Sequence, residues 1–185
     1  MKKTVVTYGL MSGSILSIIM LATAPFMDEI GFDLGAVIGY SSMVLAFLLV
    51  FFGVRSYRDN VAGGSVRFGR AMAVGALIVA VASACYVATW QVVYHQFAPD
   101  FVAKYSAHML EKERASGATE AALEEKRAEM DEFAASYRNP LVNIAMTFLE
   151  PLPVGLLFAL VSAGVLSRRR EDEQAAPATA SRGWT

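Results

Sequence analysis

The stretch "FLEPLPVGLL", residues 148–157, sets one carboxylate and two prolines in a run that is otherwise apolar. A carboxylate in such a place can take up a proton, attract a cation, or hydrogen-bond to a polar ligand. Pro151 and Pro153 have no backbone N–H, so the same motif equally marks a kink or a helix start. Other reactive residue types are sparse. His95 and His108 stand 13 residues apart, with no carboxylate at metal-ligand spacing, and Cys85 is the sole cysteine. No metal site, no cofactor and no internal disulfide is expected, and Cys85 reads as a small apolar core residue. The chain has no Gly-x-Ser-x-Gly, no nucleotide-binding fingerprint and no paired catalytic carboxylates at the membrane surface, so no catalytic residue is assigned.

Glu150 can act only where helices hold it. Hydrophobic residues are 55% of the 185, charged residues 18%, and the mean hydropathy is +0.43. The apolar excess falls in four blocks, about 5–26, 34–54, 71–95 and 141–166. Each has the roughly 17–25 residues that cross about 30 Å of hydrocarbon as a helix. None alternates as a barrel strand would. The expected fold class is all-α: an integral membrane protein with a bundle of four transmembrane helices. The single domain would run over 1–170, with a disordered tail over 171–185.

Basic residues set the expected orientation. Lys2 and Lys3 precede the first block. Arg55, Arg58, Arg67 and Arg70 lie between the second and third, and Arg168, Arg169 and Arg170 follow the fourth. "MDEIGFD", residues 27–33, has three acids and no Lys or Arg. Both termini and the arginine loop are therefore expected in the cytoplasm of a bacterial cell, the inner membrane being the location. "MKK" with "ATA" at 22–24 also has the form of a signal peptide. The apolar run is too long for one, and Pro25 would make the scissile bond a tertiary amide, so a retained helix is expected.

Residues 97–139 would then lie outside, with six basic and nine acidic residues. Phe97, Phe101, Tyr105 and His108 share one helical face, as do Leu123, Met130, Phe133 and Tyr137. Two amphipathic helices parted at Gly117 and ended by Asn139-Pro140 make an external hairpin. It could cap a cavity, dock a protein partner, or be a solvated connector. In the loop "FGVRSYRDNVAGGSVRFGRA", residues 52–71, Arg55, Tyr57, Arg58, Asp59, Arg67 and Arg70 form a basic set. It sets topology and could hold anionic lipid headgroups. Asp59 is expected to pair with Arg55 or Arg58, and Gly63-Gly64 to turn the chain. With a formal charge of -1, nucleic acid is not an expected partner.

Small residues recur every four positions in each block: Gly9, Gly13 and Ser17; Gly35 and Gly39; Ala76, Ala80, Ala84 and Ala88; Gly155, Ala159 and Ala163. Such faces let backbones approach, within one chain or between copies, so a homo-oligomer or a membrane-protein partner stays open. At about 1.5 Å per residue, eighteen residues from Arg168 bring Glu150 about 27 Å across, and ten residues from Pro140 about 15 Å. Anchored on the arginines, Glu150 falls in the outer half. The same count places Tyr40, Gln91, Tyr94, His95 and Asn143 beside it. This layer is either an aromatic belt with a snorkelling or protonated glutamate, or a polar vestibule under the hairpin.

"FFGVRSYRDN", "GGSVRFGRA" and "NPLVNIAMTFLEPLPVGLL" resemble a bacterial inner-membrane family catalogued as a domain of unknown function, DUF4199-like. The resemblance runs from Met1 to about Arg170. It implies four membrane helices and a characteristic loop after the second. The positions carrying it are Arg55, Tyr57, Arg58, Asp59, Phe68, Gly69, Glu150, Pro151 and Gly155. It implies no activity. The expected role is a non-enzymatic binding or accessory component of the cell envelope, or else a small proton- or ion-coupled transporter or channel subunit using Glu150.

Overall fold

A computed structural model describes residues 1–167. Arg168 to Arg170 and the tail over 171–185 lie outside the described residues, and with them the depth count anchored on those arginines. The described chain is helical: α1 (Lys2–Thr23), a 3-10 turn (Ala24–Phe26), α2 (Met27–Asn60), α3 (Phe68–Gln96), α4 (Phe101–Ala115), α5 (Glu120–Tyr137), α6 (Pro140–Leu149) and α7 (Leu152–Ser167). Three continuous helical stretches are long and apolar enough to cross a membrane: Lys2–Asn60, Phe68–Gln96 and Pro140–Ser167. The first folds back on itself, because Gly53 in α2 lies against Tyr8 in α1. Ile18, Leu45 and Leu157 are 66%, 55% and 58% exposed on its outer faces. Aliphatic side chains presented all round a bundle suit lipid better than water, and the chain is a membrane protein on these grounds.

Four helices make the bundle: α1, α2, α3 and α7. Their relative directions follow from close contacts at small residues. A Cβ on Gly9 would fall 2.6 Å from Val81 Cβ, and one on Gly13 2.6 Å from Cys85 Cβ. Thr89 completes the series by donating to Ser17 Oγ at 2.7 Å. The constant offset makes α1 and α3 parallel. Gly75 meets Ala159 while Gly155 meets Val79, so α3 and α7 are antiparallel. The chain therefore runs alternately up and down, with Phe47, Val50, Val54, Val74, Ile78 and Ala163 sealed at the centre.

Two of the four expected small-residue faces do not pack. Nothing lies within 4 Å of a Cβ built on Gly39, and only Ile30 Cγ2, at 3.9 Å, meets one on Gly35. In α3, Ala84 and Ala88 are exposed. That helix touches α7 through Gly75 and Val79 and α1 through Val81 and Cys85, and Ala84 and Ala88 fall outside both contacts.

The acidic stretch "MDEIGFD" is helical. α2 starts at Met27, where Asp28 and Glu29 in the first turn complement the positive end of the helix. Its course breaks at Gly31, whose φ of 71° and ψ of 170° lie in a region open to glycine and closed to residues with a Cβ. The last apolar block is two helices. α6 ends with Glu150 N–H donating to Met146 O at 3.2 Å, and α7 opens with Gly155 N–H donating to Pro151 O at 2.9 Å. Pro151 and Pro153 cannot supply the two bonds that would join them.

Candidate functional site

The bundle end that carries α4 holds a cavity of about 1270 Å³. Its walls come from the end of α1, the first half of α2, the second half of α3, and α4. Tyr137 of α5 and Thr147 of α6 line it too, with Glu150 at the helix break. Gly35 and Gly39, expected as packing positions, line it instead.

Glu150 owes its position to the break. α6 ends at Leu149, and the carboxylate leaves the chain where two prolines interrupt the helix. Its side chain remains exposed, and Oε2 accepts a hydrogen bond from Tyr86 Oη at 3.0 Å. Tyr86, Trp90 and Tyr94 recur every four residues and so share one face of α3. Trp90 Nε1 donates to Tyr137 Oη at 2.9 Å, which ties α3 to α5. Burial and a nearby ring hold the Tyr137 hydroxyl above its ordinary range, although hydrogen bonds from Trp90 and Thr147 counter this.

Above the cavity an aromatic cluster joins α4 to the rest. Phe32 of α2 meets Phe101, Tyr105 and His108 with ring centres 5.7, 5.6 and 5.2 Å apart. Trp90 packs edge-on against Phe101 at 4.9 Å, and Tyr105 reaches Phe133 of α5 at 5.6 Å. Phe97 does not join this face. It caps the end of α3, before α4 begins, and stands 50% exposed. Leu123, Met130 and Tyr137 are buried along α5, and Gly117 takes a φ of 85° at the turn before it. Charges fasten the same edge: Lys104 Nζ lies 2.6 Å from Asp28 and Lys112 Nζ 2.9 Å from Asp33.

The six residues of the expected layer divide. Glu150 and Tyr40 line the cavity, and Gln91, Tyr94, His95 and Asn143 do not. Gln91 Nε2 donates to Asn143 Oδ1 at 2.7 Å, a bond that joins α3 to the nearly sealed Asn143 of α6. His95 is exposed and its Nδ1 sits 2.8 Å from Gln91 O, one turn back on its own helix. Tyr94 packs against Tyr137 at 5.7 Å. Gln91, Asn143 and Tyr94 thus join α3 to α5 and α6. Sequence reasoning missed Tyr86 as the partner of Glu150. The four-residue spacing to Trp90 and Tyr94 was the available signal.

At the opposite end, the basic set is also split. Tyr57 and Arg58 are buried, whereas Arg55, Arg67 and Arg70 are exposed. Asp59 pairs with both candidates, Arg58 Nε at 2.7 Å and Arg55 Nε at 3.6 Å. Gly63 and Gly64, at φ 71° and 86°, turn the chain into α3.

A family profile described as "Protein of unknown function (DUF4199)" matches residues 7–168. No curated protein and no solved structure matches the chain.

Proposed function

The chain belongs to the DUF4199 family, and on that premise we propose that it is a non-enzymatic binding component of a bacterial cell envelope, taking a ligand into the cavity beside Glu150. In this reading residues 1–170 form one inner-membrane domain in which α1, α2, α3 and the α6–α7 pair make four crossings. Both termini and the arginine loop face the cytoplasm, and α4 and α5 form an external hairpin over the cavity. The exposed arginines Arg55, Arg67 and Arg70 then meet anionic headgroups of the inner leaflet. The observation that carries the reading is the cavity itself, with an exposed carboxylate and the aromatic residues Tyr40, Tyr86 and Trp90 in its wall.

Its test is access. Gly39→Cys in a Cys85→Ala background places a thiol where a Cβ meets nothing within 4 Å. In right-side-out vesicles a membrane-impermeant maleimide should label it, and inverted vesicles should be protected. Labelling only in inverted vesicles, or in neither, would overturn the reading.

One observation favours a second role. Transporters place ion and substrate sites at breaks in membrane helices, and Glu150 stands at such a break. A proton- or ion-coupled carrier predicts that Glu150→Gln abolishes a pH-dependent flux in proteoliposomes without loss of folded protein. Equal flux from the two proteins would remove this role.

A further inference from the structure

We propose that the cavity binds amphiphilic organic cations, a substituted-ammonium head being held by Glu150 among Tyr40, Tyr86, Trp90 and Tyr137. This rests on the cavity reading above and names its ligand class.

Charge is the first ground. Asp28, Asp33, Asp100, Glu111 and Glu150 line the cavity, against Lys104 and His108. Lys104 pairs with Asp28 at 2.6 Å and Asp100 at 3.1 Å, and Lys112 with Asp33 at 2.9 Å, which leaves Glu111 and Glu150 without a salt bridge among the described residues. The space is therefore negative and repels anions.

The aromatic residues are the second ground. Tyr, Trp and Phe ring faces carry negative potential and attract a cation within about 6 Å of the ring centre. Tyr40, Tyr86, Trp90 and Tyr137 line the cavity together with Glu150. Among the described residues, Glu150 accepts a side-chain hydrogen bond from Tyr86 alone, through Oε2. A bare metal cation asks for about six oxygen ligands, which rings do not supply. A substituted ammonium asks for rings and a counter-charge.

Size and lining are the third ground. At about 1270 Å³ the cavity exceeds the roughly 300–1,000 Å³ of ordinary ligand pockets. Ile19, Met20, Ile38 and Val93 add an apolar wall along which a hydrocarbon body can lie. The ammonium could belong to a lipid headgroup or to a free amphiphile, and the experiment separates the two.

The full chain carrying Trp184→Phe retains Trp90 as its only tryptophan, so its emission reports on the cavity. In maltoside micelles, decyltrimethylammonium should change this emission saturably. Glu150→Gln should weaken that binding about tenfold, the loss of one charged partner. Tyr40→Leu, at an exposed position where folding is not at stake, should weaken it several-fold. Decyl sulfate should produce no saturable change. If a short-chain phosphatidylcholine competes with decyltrimethylammonium, the source is a lipid head; if it does not, the source is a free amphiphile.

Equal binding of decyl sulfate, or unaltered affinity in both variants, would overturn the proposal. So would silence towards every probe. If Gly39→Cys is still labelled from outside in that case, the cavity reading stands and only the ligand class fails. If it is not labelled, the cavity reading itself has failed.

Discussion

Tyr86 donates its hydroxyl to Glu150 Oε2 across 3.0 Å, joining residues 64 positions apart in the chain. The bond fixes the broken end of α6 to the face of α3. Tyr86→Phe keeps the ring and removes the donor, so it should cost about 1 kcal/mol in thermal unfolding in micelles. Glu150→Gln, which keeps an acceptor oxygen, should cost less. A Tyr86→Phe protein as stable as the parent would show that the bond contributes nothing.

The parallel seam of α1 and α3 is the part of the fold least tolerant of added volume. A Cβ on Gly13 would lie 2.6 Å from Cys85 Cβ and 2.8 Å from its Sγ. Gly13→Val should therefore destabilise by about 1–3 kcal/mol, the range for overpacked contacts. Gly39→Ala, at a helical glycine that meets nothing, should be neutral or stabilise by roughly 0.5–1 kcal/mol. Thermal aggregation of the two variants, followed by size-exclusion chromatography, measures the contrast. Equal losses would refute the seam.

Much of this was readable in the sequence. The apolar blocks, the turn glycine at 117 and the Asp59 ion pairs all follow from composition and local spacing. Which small-residue faces pack was not readable, since Gly9-Gly13 and Gly35-Gly39 have the same spacing and opposite fates. The choice depends on which helix lies opposite, a non-local fact. Asn143 and Gln91 bond to each other at 2.7 Å and do not line the cavity, a pairing between two helices that neither local sequence marks. The four-residue spacing of Tyr86, Trp90 and Tyr94 marks a shared face of α3, but nothing local identifies Glu150, 64 residues on, as the partner of Tyr86.

On the alkaline side, the attachment of α4 to the start of α2 should follow the titration of its lysines. Asp28 first and Asp100 next hold the Lys104 ammonium above the ordinary lysine value of 10.5, and Asp33 does the same for Lys112. A group whose pKa is raised by folding contributes fully below its unfolded value and loses that contribution as pH rises through the folded one. The attachment should therefore be constant from about pH 7 to 9 and loosen above about 10.5. Spin labels on Gly35→Cys and Ala107→Cys, with Cys85→Ala, would report the separation. Loosening between pH 7 and 9, or alkaline loosening that persists in Lys104→Met/Lys112→Met, would refute this account.

Gly31 decides whether those ion pairs can form at all. Its φ of 71° and ψ of 170° re-aim the chain between Asp28 and Asp33, the two carboxylates that Lys104 and Lys112 reach. It also sets Phe32 against Phe101, Tyr105 and His108. A Cβ on Gly31 would meet no neighbour within 4 Å, so any cost of Gly31→Ala must come from the backbone and not from crowding. That cost is about 1–3 kcal/mol, which the chain can avoid by continuing α2 as a regular helix. Doing so rotates Phe32 and Asp33 relative to Asp28 and breaks the register with α4. Hydrogen exchange in α4 should then accelerate in Gly31→Ala and stay unchanged in Gly35→Ala, four residues on in the same helix. Equal protection of α4 in both variants would mean that the break at Gly31 does not position it.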